Sequence, residues 1–235
     1  MCNYLMPKLF KLWGNFMSYK NFLFTFIFLL MPFQAAAKEY SPGVDKNYPK
    51  KLLWGDTHLH SNESADAYTI GNSNLTPSDA FRFARGEEVI SENGVRAKLR
   101  VPLDFLLVSD HATFLGMFKR IEERDPKILK TPLGKRWRKY MDDDDPTLFT
   151  EFVDGLNGNL DETFSKEDYE PIWKEITENV DKFNEPGIFT AFIGYEWTPA
   201  PTGDNLHRVV VFKDDAKLAQ KIIPFSAIDS NKPED

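Results

Sequence analysis

Cysteine is nearly missing from this sequence: there is one, Cys2, at the extreme start. No disulfide framework can be drawn, so stability must come from a core, a partner or a metal. Positive charge is also in deficit. Lys and Arg number 29 against 36 Asp and Glu, a formal charge of −7. A phosphate backbone rewards Lys and Arg, so this balance argues against nucleic acid as a partner. A long hydrophobic run is lacking as well. "NFLFTFIFLLMPF", residues 21–33, falls short of the roughly 20 apolar residues a membrane-spanning helix needs. Histidine is scarce, with only four residues, and where those four fall becomes the most informative feature of the chain.

What is present suits a globular protein. The 235 residues are 42% hydrophobic and 14% aromatic, enough for one domain, or one domain plus a tail. Residues 1–37 stand apart: they hold Lys8, Lys11 and Lys20, no acidic residue, the apolar run, and then "AAA" at 35–37. A basic start, a short apolar run and small residues describe a secretory signal peptide, with Met17 the more natural start. Its removal after Ala37 would take the formal charge from −7 to −10 and remove the sole cysteine. The expectation is an exported protein, periplasmic or secreted, with no stable membrane span after cleavage; the alternative is an uncleaved anchor. Residues 38–50, polar with two prolines, read as a linker.

Beyond the linker, apolar runs alternate with helical patterns. "KLLWGD" reads as a buried strand, "LDFLLVSDH" (103–111) as a second, "GIFTAFIGYEWT" (187–198) as a third and "LHRVVVFKD" (206–214) as a fourth. "LTPSDAFRFARGEEV" (75–89) starts a helix well: Thr76 can cap it, Pro77 suits its first turn, and Asp79 complements its dipole. Residues 118–146 are charge-dense and read as a surface excursion with helical pieces; 167–183 form an amphipathic helix. The alternation predicts an α/β fold with a largely parallel sheet. Chemistry in such folds gathers at the carboxyl ends of the strands.

All four histidines sit at strand ends or starts. In "LLWGDTHLH", His58 and His60 are two apart, so in an extended strand they project to one face. Such a pair can hold a metal or can be a chance surface pair. His111 closes "VSDH" and His207 opens "HRVVVF"; Glu196 closes "GYE", and Asp66 lies six residues past His60. Imidazoles and carboxylates are the ligand set for zinc, manganese or iron.

The combination of "GDTHLH", "LTPSDAFRFARGEE", "PLDFLLVSDH" and "YEWTPAPTGDNLHRVVVF" resembles the polymerase and histidinol phosphatase (PHP) superfamily of metal-dependent phosphoesterases. The likeness is strongest to that superfamily's exported branch of uncharacterised domains. It covers about residues 50–230. The resemblance implies a distorted (β/α)7 barrel with two or three metals at its carboxyl-end face. It also implies the ligands: His58, His60 and Asp66, then His111, then Glu196, which could bridge two metals, and then His207. Asp56 and Asp110 adjoin these motifs; they are candidate catalytic carboxylates that orient imidazoles or approach the metal directly. Superfamily members carry a further histidine and an Asp-x-His downstream, and none follows His207 here. Residues 51–235 are therefore expected to be the N-terminal part of a PHP-like domain.

Other motifs carry less. "SDH" (109–111) is no triad, because strand neighbours face opposite ways and triads are built in space. "MDDDDP" (141–146) lacks the spacing and glycine of a calcium loop and reads as a solvated charged loop. "NES" and "NLT", at Asn62 and Asn74, match the glycosylation pattern, which matters only in a eukaryotic secretory route; chance is the better account. Arg82 and Arg85 could face a substrate phosphate or line a solvated helix face. Trp54 and Trp197 flank ligand motifs and read as packing. The function expected is a metal-dependent hydrolase of small-molecule phosphoesters, zinc first and manganese or iron next. The alternatives are an exported metal-binding module without catalysis, or an inactive partial chain.

Overall fold

The computed structural model describes residues 50–235. The expected signal peptide, and the expected linker apart from Lys50, lie outside the described residues. In chain order come β1 (Gly55–Leu59), α1 (Ala65–Ile70), α2 (Pro77–Ala84), the short hairpin β2 (Val89–Ile90) and β3 (Arg96–Ala97), and β4 (Phe105–Val108). Four helices follow: α3 (Met117–Glu122), α4 (Pro132–Asp142), α5 (Thr147–Leu156) and α6 (Lys166–Phe183). Then come β5 (Thr190–Phe192), β6 (Gly194–Trp197), β7 (Arg208–Val211) and α7 (Ala216–Ala219).

The architecture is mixed α/β. A three-stranded parallel sheet runs in the order β1-β4-β5. A second pair, β6 and β7, is antiparallel, with Glu196 opposite Val209 and Trp197 opposite Arg208. A parallel bridge between His111 and Glu196 holds β6 beside the extension of β4. The strand expected over 187–198 is therefore broken at Ile193 into β5, which pairs with β4, and β6, which pairs with β7. A fully parallel sheet is not formed. The connection from β6 to β7, residues 198–207, is shorter than the dozen or more residues a parallel crossover needs. Among the described residues the sheet does not close into a barrel.

The first strand also differs from expectation. It begins at Gly55, and Leu52, Leu53 and Trp54 are 75%, 59% and 69% exposed. These residues precede β1, which among the described residues is the outer strand of its sheet, with β4 on one side only.

Local chemistry fixes the helices. Thr76 caps α2 as read from sequence: its hydroxyl accepts from Asp79 N–H at 3.2 Å, and Asp79 accepts from Thr76 N–H at 2.9 Å, the reciprocal capping box. Asp168 likewise accepts from Ser165 N–H at 3.0 Å at the start of α6. Pro171 lies inside α6 and cannot donate to the Glu167 carbonyl four residues back. Lys127 Nζ donates to that carbonyl instead. No helix among the described residues is long and apolar enough to cross a membrane.

The charge-dense stretch 118–146 is more than a surface excursion. Its helices are amphipathic, and Phe118, Ile121, Leu133 and Trp137 are buried. Trp137 packs edge-on against Phe114 at 4.8 Å between ring centres and against Phe118 at 5.1 Å. Its indole N–H donates to Glu151 at 2.8 Å. Two of the four aspartates at its end are paired locally: Asp142 with Arg124 and Arg138, and Asp143 with Lys139. Helices α2 and α6 pack against β4 and β5, and Leu106, Val108 and Ala191 lie in the same core as the buried residues of these helices. The residues from Leu52 to Asp235 form one compact unit.

Candidate metal centre

The carboxyl ends of β1 and β4 and the turn from β6 to β7 deliver all four histidines to one carboxylate. Glu196 is fully buried. His58 Nε2 lies 2.9 Å and His60 Nε2 2.8 Å from its Oε2. His207 Nδ1 lies 2.6 Å from its Oε1. His111 Nδ1 is 3.7 Å from Oε2. The rings cluster accordingly, with centres 5.2 Å apart for His58 and His60 and 4.7 Å for His60 and His111.

Two groups of three donors result, His58–Glu196–His207 and His60–His111–Glu196; in each, the ligand atoms lie within 4.8 Å of one another. Glu196 belongs to both, the position a bridging carboxylate occupies. The alternation read from sequence explains half of this: His58 and His60 leave β1 on one side, and Leu59 turns toward the core.

The network assigns the protons. Asp66 contacts His60 Nδ1 at 2.9 Å. A carboxylate only accepts, so Nδ1 carries the proton. With Nδ1 turned to Asp66, the buried Nε2 faces Glu196 Oε2 across 2.8 Å. That approach calls for a positive centre between the two atoms, a proton in the metal-free protein or a metal ion in its place, and this is the observation by which the residues fit a metal. Burial by itself would lower the His60 pKa; hydrogen bonds and charge from Asp66 and Glu196 outweigh it and raise the value to about 10. Burial works against ionisation of Glu196 too, yet the surrounding imidazoles and Thr198 hold its pKa well below the usual carboxylate range. Asp66 is lowered in the same way, against its own burial, by His111, His60 and Ser64.

Asp66 is thus placed as the orienting partner of His60, while its Oδ2 also lies 3.5 Å from His111 Nε2. Asp56 and Asp110 stand elsewhere. Asp56 Oδ1 accepts from the His58 backbone N–H at 2.8 Å, and among the described residues it makes no hydrogen bond to an imidazole. Asp110 is buried and accepts from Ser61 N–H at 2.5 Å and Ser61 Oγ at 2.7 Å. Burial pushes its pKa up to about 6 against those hydrogen bonds. It ties the loop after β1 to the end of β4. Arg82 and Arg85 are both paired with carboxylates, Asp79 and Glu185. Trp54 is exposed, and Trp197 is buried beneath Arg208, whose guanidinium sits 5.0 Å from its ring centre.

Three residues of this network were not singled out in the sequence. Thr198 Oγ1 donates to Glu196 Oε1 at 2.7 Å and meets His111 Nδ1 at 2.8 Å. Ser64 Oγ donates to Asp66 at 2.5 Å and accepts the His111 backbone N–H at 3.1 Å. Ser61 holds Asp110. Strand alternation would have found Thr198, two residues past Glu196 and on its face. The serines carry no comparable signal, because they lie in a loop.

Residues 47–235 match the family described as "Protein of unknown function (DUF3604)". The chain belongs to this family. No curated protein and no solved structure matches it. The DUF3604 match takes in every residue of the cluster, from His58 to His207, together with Thr198, Ser61 and Ser64.

Proposed function

We propose that this cluster binds two divalent transition metals, zinc first and manganese or iron next, and hydrolyses small-molecule phosphoesters. One observation carries the reading: a fully buried Glu196 shared by two three-donor groups that use every histidine in the chain. When bound, divalent ions supply a water of lowered pKa and neutralise charge on a phosphoryl oxygen. The protein's own residues do the rest. His58 and His207 would hold one ion and His60 and His111 the other, with Glu196 between. Asp66 and Thr198 keep one nitrogen of His60 and of His111 protonated, so the other stays a ligand. His58 and His207 have side chains 44% and 50% exposed, so a substrate reaches the cluster from that side.

The same reading places the parallel strands β1, β4 and β5 in a PHP-type barrel, because His58, His60 and His111 lie at the carboxyl ends of β1 and β4. It places the activity outside the cytoplasm, behind the leader of residues 1–37. The test is metal analysis of the purified protein with turnover on a panel of phosphoesters, wild type against Glu196→Gln. About two equivalents of metal and turnover, both lost in the variant, are expected for a two-metal site. A wild-type protein that takes up no metal after dialysis against zinc or manganese would end the reading.

A further inference from the structure

Beside the candidate metal centre lies a cavity of about 270 Å³. His60 forms part of its wall; the rest comes from the end of β1, helix α2 and the β2–β3 hairpin. Its apolar lining is Leu59, Leu75, Ala80, Phe83, Val89 and Ala97. The polar side chains at its wall are already engaged. Thr76 Oγ1 donates to Asp79 at 2.5 Å, Ser61 Oγ donates to Asp110 at 2.7 Å, Asn72 Oδ1 accepts from Leu75 N–H at 3.0 Å, and Ser91 Oγ accepts from Val95 N–H at 3.1 Å. Asp79 is further paired with Arg82. What remains for an occupant is mostly hydrocarbon, with the Ser91 hydroxyl proton and Asn72 Nδ2 at its edge.

Size narrows the occupant. A cavity of about 150 Å³ lined by aliphatic and aromatic groups takes up benzene. Pockets for whole ligands run from about 300 to 1,000 Å³. At about 270 Å³ this space suits one ring with a short substituent, or a branched alkyl group, and not an entire substrate. Because His60 belongs both to this wall and to the metal cluster, the cavity adjoins the cluster.

We infer that this cavity is the specificity pocket of the site and takes an aryl or alkyl group carried by an anionic substrate. The inference rests on the reading of the cluster as a metal-dependent hydrolytic centre. It makes apolar esters the preferred class over sugar or glycerol phosphates, whose hydroxyls would find few free partners in this wall.

The test separates binding from turnover. Metal-loaded protein is titrated calorimetrically with methylphosphonate and with phenylphosphonate, neither of which is hydrolysed. Each buried methylene strengthens binding roughly fourfold, so phenylphosphonate is expected to bind at least about tenfold tighter. Ala80→Leu, which narrows the cavity from α2, is expected to remove that preference and leave methylphosphonate binding unchanged. Ala97→Leu on the exposed hairpin gives the same readout should the first variant fold poorly. Equal affinity for the two phosphonates, or binding of neither, overturns the pocket. So does a phenyl preference untouched by both substitutions. Turnover of phenyl and methyl phosphate is measured alongside. Retained phenyl preference without turnover of any ester removes the hydrolase reading and leaves the pocket; turnover with no phenyl preference does the reverse.

Discussion

His60 and Asp66 are joined through Nδ1 at 2.9 Å, across the six residues that turn β1 into α1. The bond decides which imidazole nitrogen faces Glu196. A carboxylate behind a ligating histidine raises its basicity and fixes its ring, and its loss costs about 10- to 100-fold in metal affinity. Asp66→Asn is expected to weaken metal binding within that range, and Asp66→Ala at least as much. Chelator competition on the folded variants measures it. Wild-type affinity in both would show that Asp66 does not orient His60.

At the proposed centre, metal and proton compete for the same nitrogen, Nε2 of His60. In the metal-free protein the His60 pKa stands near 10 against an ordinary 6.5. Between these values the folded state holds a proton that the unfolded state has released, so stability falls as pH rises. The stabilisation is fully present below about pH 6.5 and is lost as pH passes 10. Metal-free protein is expected to melt progressively lower from pH 7 to 10, and metal-saturated protein to hold its midpoint. Metal uptake at pH 7 should release protons, seen as a binding enthalpy that varies with the buffer's ionisation enthalpy. An enthalpy independent of buffer would contradict the linkage.

Those two residues also show what a sequence can disclose. The pairing of His58 with His60, the cap at Thr76 and the long helix through Trp173 follow from periodicities of two and 3.6 residues and from local turn chemistry. They were legible for that reason. The gathering of His207, Glu196 and His111 was reached only through resemblance, because nothing local brings residues about 90 positions apart together. The direction of β7 was not legible, since strand patterns carry no sign of parallel or antiparallel pairing; the short connection from β6 held that information. The exposure of Leu52, Leu53 and Trp54 was misread because an apolar run does not say whether its strand lies at the edge of a sheet. The 270 Å³ cavity assembles from three separate elements and had no signature at all.

Gly116 supports the loop that carries Ser61 and Ser64. Its φ is +68°, and a Cβ there would lie 2.6 Å from Glu63 Oε2 and 2.8 Å from Ile172 Cγ2. Glu63 is buried and paired with Lys119 at 2.5 Å, so it has little room to yield. Gly116→Ala combines backbone strain with a displaced buried ion pair, and a loss of roughly 2–4 kcal/mol is expected. Denaturant titration measures it. A change below about 0.5 kcal/mol, the scale of an ordinary surface substitution, would mean that the loop moves freely.

Thr198 offers the sharpest separation of structure from metal binding. Its single hydroxyl proton goes to Glu196 Oε1 at 2.7 Å, because the ionised carboxylate can only accept. Its oxygen is then free to accept from His111 Nδ1–H at 2.8 Å. One side chain thereby satisfies the buried Glu196 carboxylate and fixes the His111 tautomer, leaving Nε2 for the proposed metal. Thr198→Val keeps the shape and removes both bonds. Leaving a buried carboxylate oxygen short of a donor costs about 1–3 kcal/mol, so the metal-free protein should melt several degrees lower. With His111 free to take the other tautomer, metal affinity should also fall about tenfold or more. Thr198→Ser keeps the hydroxyl and is expected to restore the metal affinity while losing only a methyl group's packing. That pattern assigns the effect to the proton network and not to volume. If Thr198→Val binds zinc or manganese as tightly as the wild type, His111 holds its orientation without Thr198, and the tautomer assignment fails.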